Sequence, residues 1–233
     1  LDAASLEEAI SWIDLLSGHV GMFKVGKELF TAVGPKIVDC IKQRNQRVFL
    51  DLKFHDIPNT VARAAEAAVE LGVDMFNVHA SGGSKMIQET VKAVQTVAAK
   101  NGRAKPIVLA VTVLTSLNDD DLQEIGFEKN TNDLVLRLAT MAQKAGADGV
   151  VASPQDIATL RAHLGNDFIL VTPGIRSSQE TAKDDQKRTL SAFDAVKLGV
   201  DYIVVGRPIR QASDPLAACR NIVQEIASGM AAE

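Results

Sequence analysis

Short apolar runs alternate with longer amphipathic stretches along the chain, and most runs stop at a polar or glycine residue. The runs lie near 20–25, 47–52, 74–79, 106–113, 148–152, 168–172 and 201–205, and Leu1 reads as the tail of one more. Between them, hydrophobic residues recur at helical spacing over 5–17, 28–44, 58–71, 84–100, 131–145, 155–164, 191–198 and 214–228. Short apolar runs separated by helix-length stretches suit buried parallel strands joined by crossover helices. Eight such units in succession predict an α/β chain folded as a (β/α)8 TIM barrel. The expectation is one domain over 1–233, its first strand truncated at the start of the chain, since no linker or charge block divides it. Gly72-Val73-Asp74, Gly146-Ala147-Asp148 and Gly199-Val200-Asp201 repeat one device, a glycine that ends a helix just before a strand begins. The main irregular segment, about 174–190, follows the seventh strand, and loops of that length in a compact domain are usually functional or disordered.

Composition narrows the field. The chain is 46% hydrophobic but only 4% aromatic, so aliphatic side chains fill the core, as buried parallel strands require. A net charge of -4 without a basic tract disfavours a general nucleic-acid surface, so attraction for an anionic ligand must be local. Cys40 and Cys219 lack CxxC spacing and are too few for a disulfide framework, which makes a reducing, cytoplasmic setting the default. No apolar run reaches membrane-spanning length, and no signal peptide is evident.

In such a barrel the chemistry sits at the C-terminal ends of the strands and in the loops after them. That rule selects Asp2, Lys24, Asp51 with Lys53, His79, Thr115 with Ser116, Ser153, Pro173 with Arg176, and Gly206 with Arg207. Asp51 and Lys53 stand at i and i+2 of an apolar strand, so alternation places opposite charges on one face. Buried ions need partners, and Lys24, with Asp56 beyond the strand, completes an alternating Lys, Asp, Lys, Asp set. At the other end, Val205-Gly206-Arg207-Pro208 reads as strand, glycine and helix start. Close backbone approach at glycine, free helix N–H groups and a forked cation suit a phosphate dianion there. Arg176 and Gln186, on the loop after the seventh strand, are placed to close over it.

Asp51-x-Lys53-x-x-Asp56-Ile57-Pro58-Asn59-Thr60 is accompanied by Phe23-Lys24-Val25-Gly26, Thr112-Val113-Leu114-Thr115-Ser116, Thr172-Pro173-Gly174-Ile175-Arg176 and Val205-Gly206-Arg207. In that order, over nearly the whole chain, these segments resemble the orotidine 5'-phosphate decarboxylase family. The resemblance implies loss of CO2 from C6 of the orotate ring to give UMP, with no metal and no cofactor. It implies that Lys53 protonates C6 and that Asp51 lies against the substrate carboxylate. Asp56, with Ile57 and Thr60, would reach the site from the other subunit of a homodimer. Lys24 and Asp2 would hold ribose hydroxyls and the charge network, Thr115 and Ser116 would lie by the pyrimidine, and Pro173 would join the substrate-binding positions. Arg176, Gln186, Gly206 and Arg207 would bind phosphate. The loop is about one residue longer than the family spacing, so Gln186 is preferred while Gln179 stays open.

Two alternatives remain. A magnesium-dependent sugar-phosphate decarboxylase or aldolase on the same barrel shares DxKxxD, but a metal-ligating carboxylate is expected near the position that Lys24 fills. A catalytically silent phosphate-ligand binding barrel would not need the full set of Lys24, Asp51, Lys53 and Asp56. The four histidines show no HxH or HxxxH spacing, so a histidine metal site is not expected. His55 reads as a packing or hydrogen-bonding residue, and His79 closes a strand without a motif carboxylate beside it. Asp119-Asp120-Asp121 fits a helix N-terminus, where negative charge is favoured.

Overall fold

The computed structural model describes residues 1–128, 130–175 and 190–232. Two compact units, 1–109 and 110–233, divide the chain. In the first, α1 (Leu6–Leu16) is capped by Ser5, whose hydroxyl accepts the Glu8 N–H. There follow β1 (Phe23–Gly26), α2 (Lys27–Val33), α3 (Lys36–Lys42), β2 (Val48–Phe54), α4 (Pro58–Glu70), β3 (Met75–His79), α5 (Ser84–Lys100) and the start of β4 (Ile107–Val111). The second continues with α6 (Asp119–Glu124), α7 (Thr131–Lys144), β5 (Gly149–Val151), α8 (Ile157–Leu164), β6 (Ile169–Pro173), α9 (Ala192–Lys197), β7 (Tyr202–Val204), α10 (Arg207–Arg210) and α11 (Pro215–Met230).

The strands follow one another in sheet order from β1 to β7 without reversal. Strands β1, β2 and β3 pair in parallel, as do β5, β6 and β7. Parallel strands in consecutive order, each followed by helix, are the topology of a (β/α)8 barrel. Seven of the eight expected runs form strands, six within two residues of their predicted bounds and the first, β1, starting three residues late. The eighth does not: Leu1 and Asp2 carry no strand, although the Leu1 nitrogen donates to the Lys24 carbonyl at 2.7 Å. The helix expected over 28–44 is two helices. Gly34 takes φ 65° and Pro35 cannot extend the hydrogen-bond ladder, so α2 stops and α3 restarts.

The three glycine devices behave as helix stops. Gly72, Gly146 and Gly199 have φ of 76°, 90° and 91°, and the next residue's N–H reaches back to Ala68, Ala142 and Ala195. Asp74 and Asp201 also bind through their side chains. Asp74 accepts the Val48 N–H at the start of β2 at 2.7 Å and the Lys42 ammonium at 2.9 Å. In the second unit, Asp201 accepts the Leu170 N–H of β6 at 2.7 Å and pairs with Arg161 of α8. Each latch lies at the N-terminal end of the strand it holds.

Candidate functional site

Strand alternation and burial bring three elements of the first unit to one point. Lys24 comes from β1, Asp51 and Lys53 from β2, and Asn77 from β3. Lys24 Nζ lies 2.9 Å from Asp51 Oδ2, and Lys53 Nζ lies 2.6 Å from Asp51 Oδ1. The Asp51 side chain is 12% exposed, so this is a largely dehydrated carboxylate between two ammoniums. Burial pushes the Asp51 carboxyl up, but the Lys24 and Lys53 charges, with hydrogen bonds from Lys53 and Asn77, outweigh burial and hold it below the ordinary value. Two ammoniums and one carboxylate leave a net positive charge at the rim, suited to an anionic ligand.

The backbone carries a mark of its own here. The β2–β3 register shifts between Leu50 and Phe54, and Lys53 has φ 54°. Of the two described non-glycine residues with positive φ, Asn45 is of a type that tolerates it, whereas a lysine does so at a cost of about 1–3 kcal/mol. The Lys53 N–H donates to Asn77 Oδ1 at 2.8 Å, and Asn77 Nδ2 donates to Asp51 Oδ1 at 2.7 Å. Sequence reasoning missed Asn77. The signal was present in Phe76-Asn77-Val78-His79, where two polar residues at i and i+2 interrupt an otherwise apolar strand.

His79 and His55 have ring centroids 5.4 Å apart. Burial first, then His55, Lys27 and Lys53, push the His79 imidazole down to about 4 against the opposite pull of Asp51, so the ring is neutral at neutral pH. A side chain at Gly82 would collide with the Met86 thioether and press on His55 Cδ2 at 3.2 Å, so glycine lets the turn after β3 pack there.

Asp56 does not join the set within the chain. Its carboxylate accepts the Ile57 N–H at 2.6 Å and faces solvent, next to an Ile57 that is 67% exposed and an exposed Thr60. Asp2 is exposed, one residue beyond Leu1, whose nitrogen meets the Lys24 carbonyl.

In the second unit, Thr115 is half-buried and Ser116 exposed, in a turn closed by the Leu117 N–H on the Leu114 carbonyl at 3.0 Å. Pro173 ends β6, paired in register with Val204 of β7. Gly206 caps α10, its carbonyl accepting the Ile209 and Arg210 N–H groups, and Arg207 is half-buried at the first helical position. Arg176, Gln186 and Gln179 lie outside the described residues. Among the described residues, no group of three or more His, Cys, Asp or Glu is placed to hold a metal ion.

The comparisons agree with the geometry. The family model described as "Orotidine 5'-phosphate decarboxylase / HUMPS family" matches residues 1–222. A protein named orotidine 5'-phosphate decarboxylase from Syntrophus aciditrophicus (strain SB) is 60% identical over 227 residues, covering 97% of this chain and 90% of the relative. One so named from Geotalea daltonii is 50% identical, covering 98% and 95%. The crystal structure of orotidine 5'-phosphate decarboxylase from Lactobacillus acidophilus matches with TM-score 0.86 at 39% identity, covering 97% of this chain and 96% of that one. The chain belongs to the orotidine 5'-phosphate decarboxylase / HUMPS family.

Proposed function

We propose that this protein converts orotidine 5'-phosphate to UMP and CO2, the last step of de novo pyrimidine nucleotide synthesis, as a homodimer of single-domain barrels without metal or cofactor. The observation that carries the reading is the Asp51 carboxylate held between Lys24 and Lys53 on its two oxygens. Breaking the bond between C6 and the carboxylate leaves its electron pair on C6 as CO2 departs. The Lys53 ammonium opposes that charge and then gives C6 a proton, and the amine regains one from solvent. Two unit charges about 4 Å apart interact by roughly 4 kcal/mol at an effective dielectric near 20, a substantial but partial contribution. Asp51, placed against the substrate carboxylate, adds a repulsion that vanishes with CO2.

Asp2 and Lys24 would hold the ribose, Thr115 and Ser116 the pyrimidine, and Pro173, Arg176, Gln186, Gly206 and Arg207 the phosphate end. Remote phosphate binding would supply the energy that holds the ring against the carboxylate. The exposure of Asp56, Ile57 and Thr60 supports their service to a second copy of the chain. With both oxygens of Asp51 engaged by ammoniums, a magnesium ion is disfavoured at that carboxylate. No helix among the described residues is long and apolar enough to cross a membrane. That Cys40 and Cys219 are not joined in a disulfide supports a reducing, cytoplasmic placement.

The test is an ultraviolet assay on orotidine 5'-phosphate with and without EDTA, with UMP identified as product. Equal turnover in both arms is expected. An unchanged spectrum would leave a silent binding barrel, and loss with EDTA that magnesium reverses would favour the metal-dependent alternative.

A further inference from the structure

We propose that Asn77 is a positioning residue that ties the strained backbone of Lys53 to the orientation of Asp51. The inference rests on the decarboxylase reading above. Asn77 is 1% exposed on β3, and both ends of its amide are committed to neighbouring β2. Its orientation follows from chemistry: the Lys53 N–H can only donate, so Oδ1 must face it, which turns Nδ2 toward Asp51.

The contact falls where the regular β2–β3 ladder is interrupted, between Leu50 and Phe54. A side-chain amide thus stands in for the missing ladder acceptor and holds Lys53 at φ 54°. The same amide loads Asp51 Oδ1 with a second donor beside Lys53 Nζ, leaving Oδ2 to Lys24. Asn77 therefore sets where the carboxylate points and where the lysine stem begins, without touching the reacting atoms.

Two variants separate this role from a contribution to folding. Asn77→Leu has similar size and neither polar arm. Its kcat should fall about a hundredfold, with KM and UMP affinity within about threefold, because misplacement of a reacting group costs chemistry more than binding. That deficit should be the same at every pH. Asn77→Asp keeps an acceptor for the Lys53 N–H but sets a second carboxylate against Asp51. Like charges so close raise the affinity of the pair for a proton, and the protonated form again offers a donor to Asp51. Its deficit should match that of the leucine variant near pH 8 and shrink by roughly tenfold as pH falls to about 5.5.

A kcat within about threefold of wild type in either folded variant overturns the proposal. Loss of kcat and of UMP-binding protein in equal proportion in both variants also overturns it, assigning Asn77 to the fold alone. If wild-type protein leaves the substrate spectrum unchanged, the decarboxylase reading fails instead, which the same assay reveals before any variant is compared.

Discussion

The end of β2 and the segment just after it use the same charged alphabet in opposite ways. Asp51 and Lys53 turn inward, into ion pairs and amide hydrogen bonds that occupy both oxygens of the carboxylate. Asp56 turns outward, capping its own neighbour beside an exposed isoleucine. Three residues separate a charge that burial forces to find partners within the chain from one that solvent leaves available. DxKxxD is therefore two devices joined end to end, one completed within its own fold and the other left exposed at the surface of the chain.

Breaking the inward half should have the largest effect. Lys53→Ala removes the proposed proton donor and should lower kcat roughly 10⁴-fold while UMP binding persists, measured by ultraviolet turnover and titration. A loss under about tenfold would remove Lys53 from that role. The outward half comes next. Asp56→Ala should lower activity about 10²-fold with little change in unfolding midpoint, because the residue is exposed. Mixed in equal amounts with Lys53→Ala and allowed to exchange subunits, it should regain about a quarter of wild-type activity, one intact site per mixed dimer. No recovery after demonstrated exchange means that each chain completes its own site.

Arg207→Ala, at the opposite end of the proposed substrate, should raise KM roughly 10–100-fold, as loss of a charge-assisted phosphate contact does. Asp51→Asn leaves two ammoniums without their counterion and should cost about 1–3 kcal/mol of stability by urea unfolding, a moderate figure because the lysines are only partly buried.

The smallest effect is on pH dependence. With the His79 pKa pushed down to about 4 in the folded chain from an ordinary 6.5, the unfolded chain binds more protons between those values. Stability should therefore fall as pH drops from about 6.5 to about 4, and His79→Asn should flatten that slope in thermal scans. An unchanged slope would show that His79 is not the titrating group.

Much of this was legible in the chain. Seven apolar runs became β1 to β7, and Asp51 and Lys53 meet as expected, although through an irregular strand rather than even alternation. Other features needed coordinates because they depend on departures from regularity. Periodicity sees a continuous helix over 28–44, whereas Gly34 and Pro35 split it. It also assumes an even strand, and so could not foresee the shifted register at Lys53 or the amide of Asn77 that serves it. The glycine devices announced helix ends, but the carboxylates of Asp74 and Asp201 found their partners only through tertiary contact. Asp56 was expected to act from another subunit, and its outward setting supports that proposal.

Asp74 ties down the beginning of β2 at the end of the strand remote from Asp51 and Lys53, and Asp201 does the same for the beginning of β6 within its own unit. Mooring the scaffold at its floor leaves the opposite edge open to exchange of reactive groups while the chain still threads correctly.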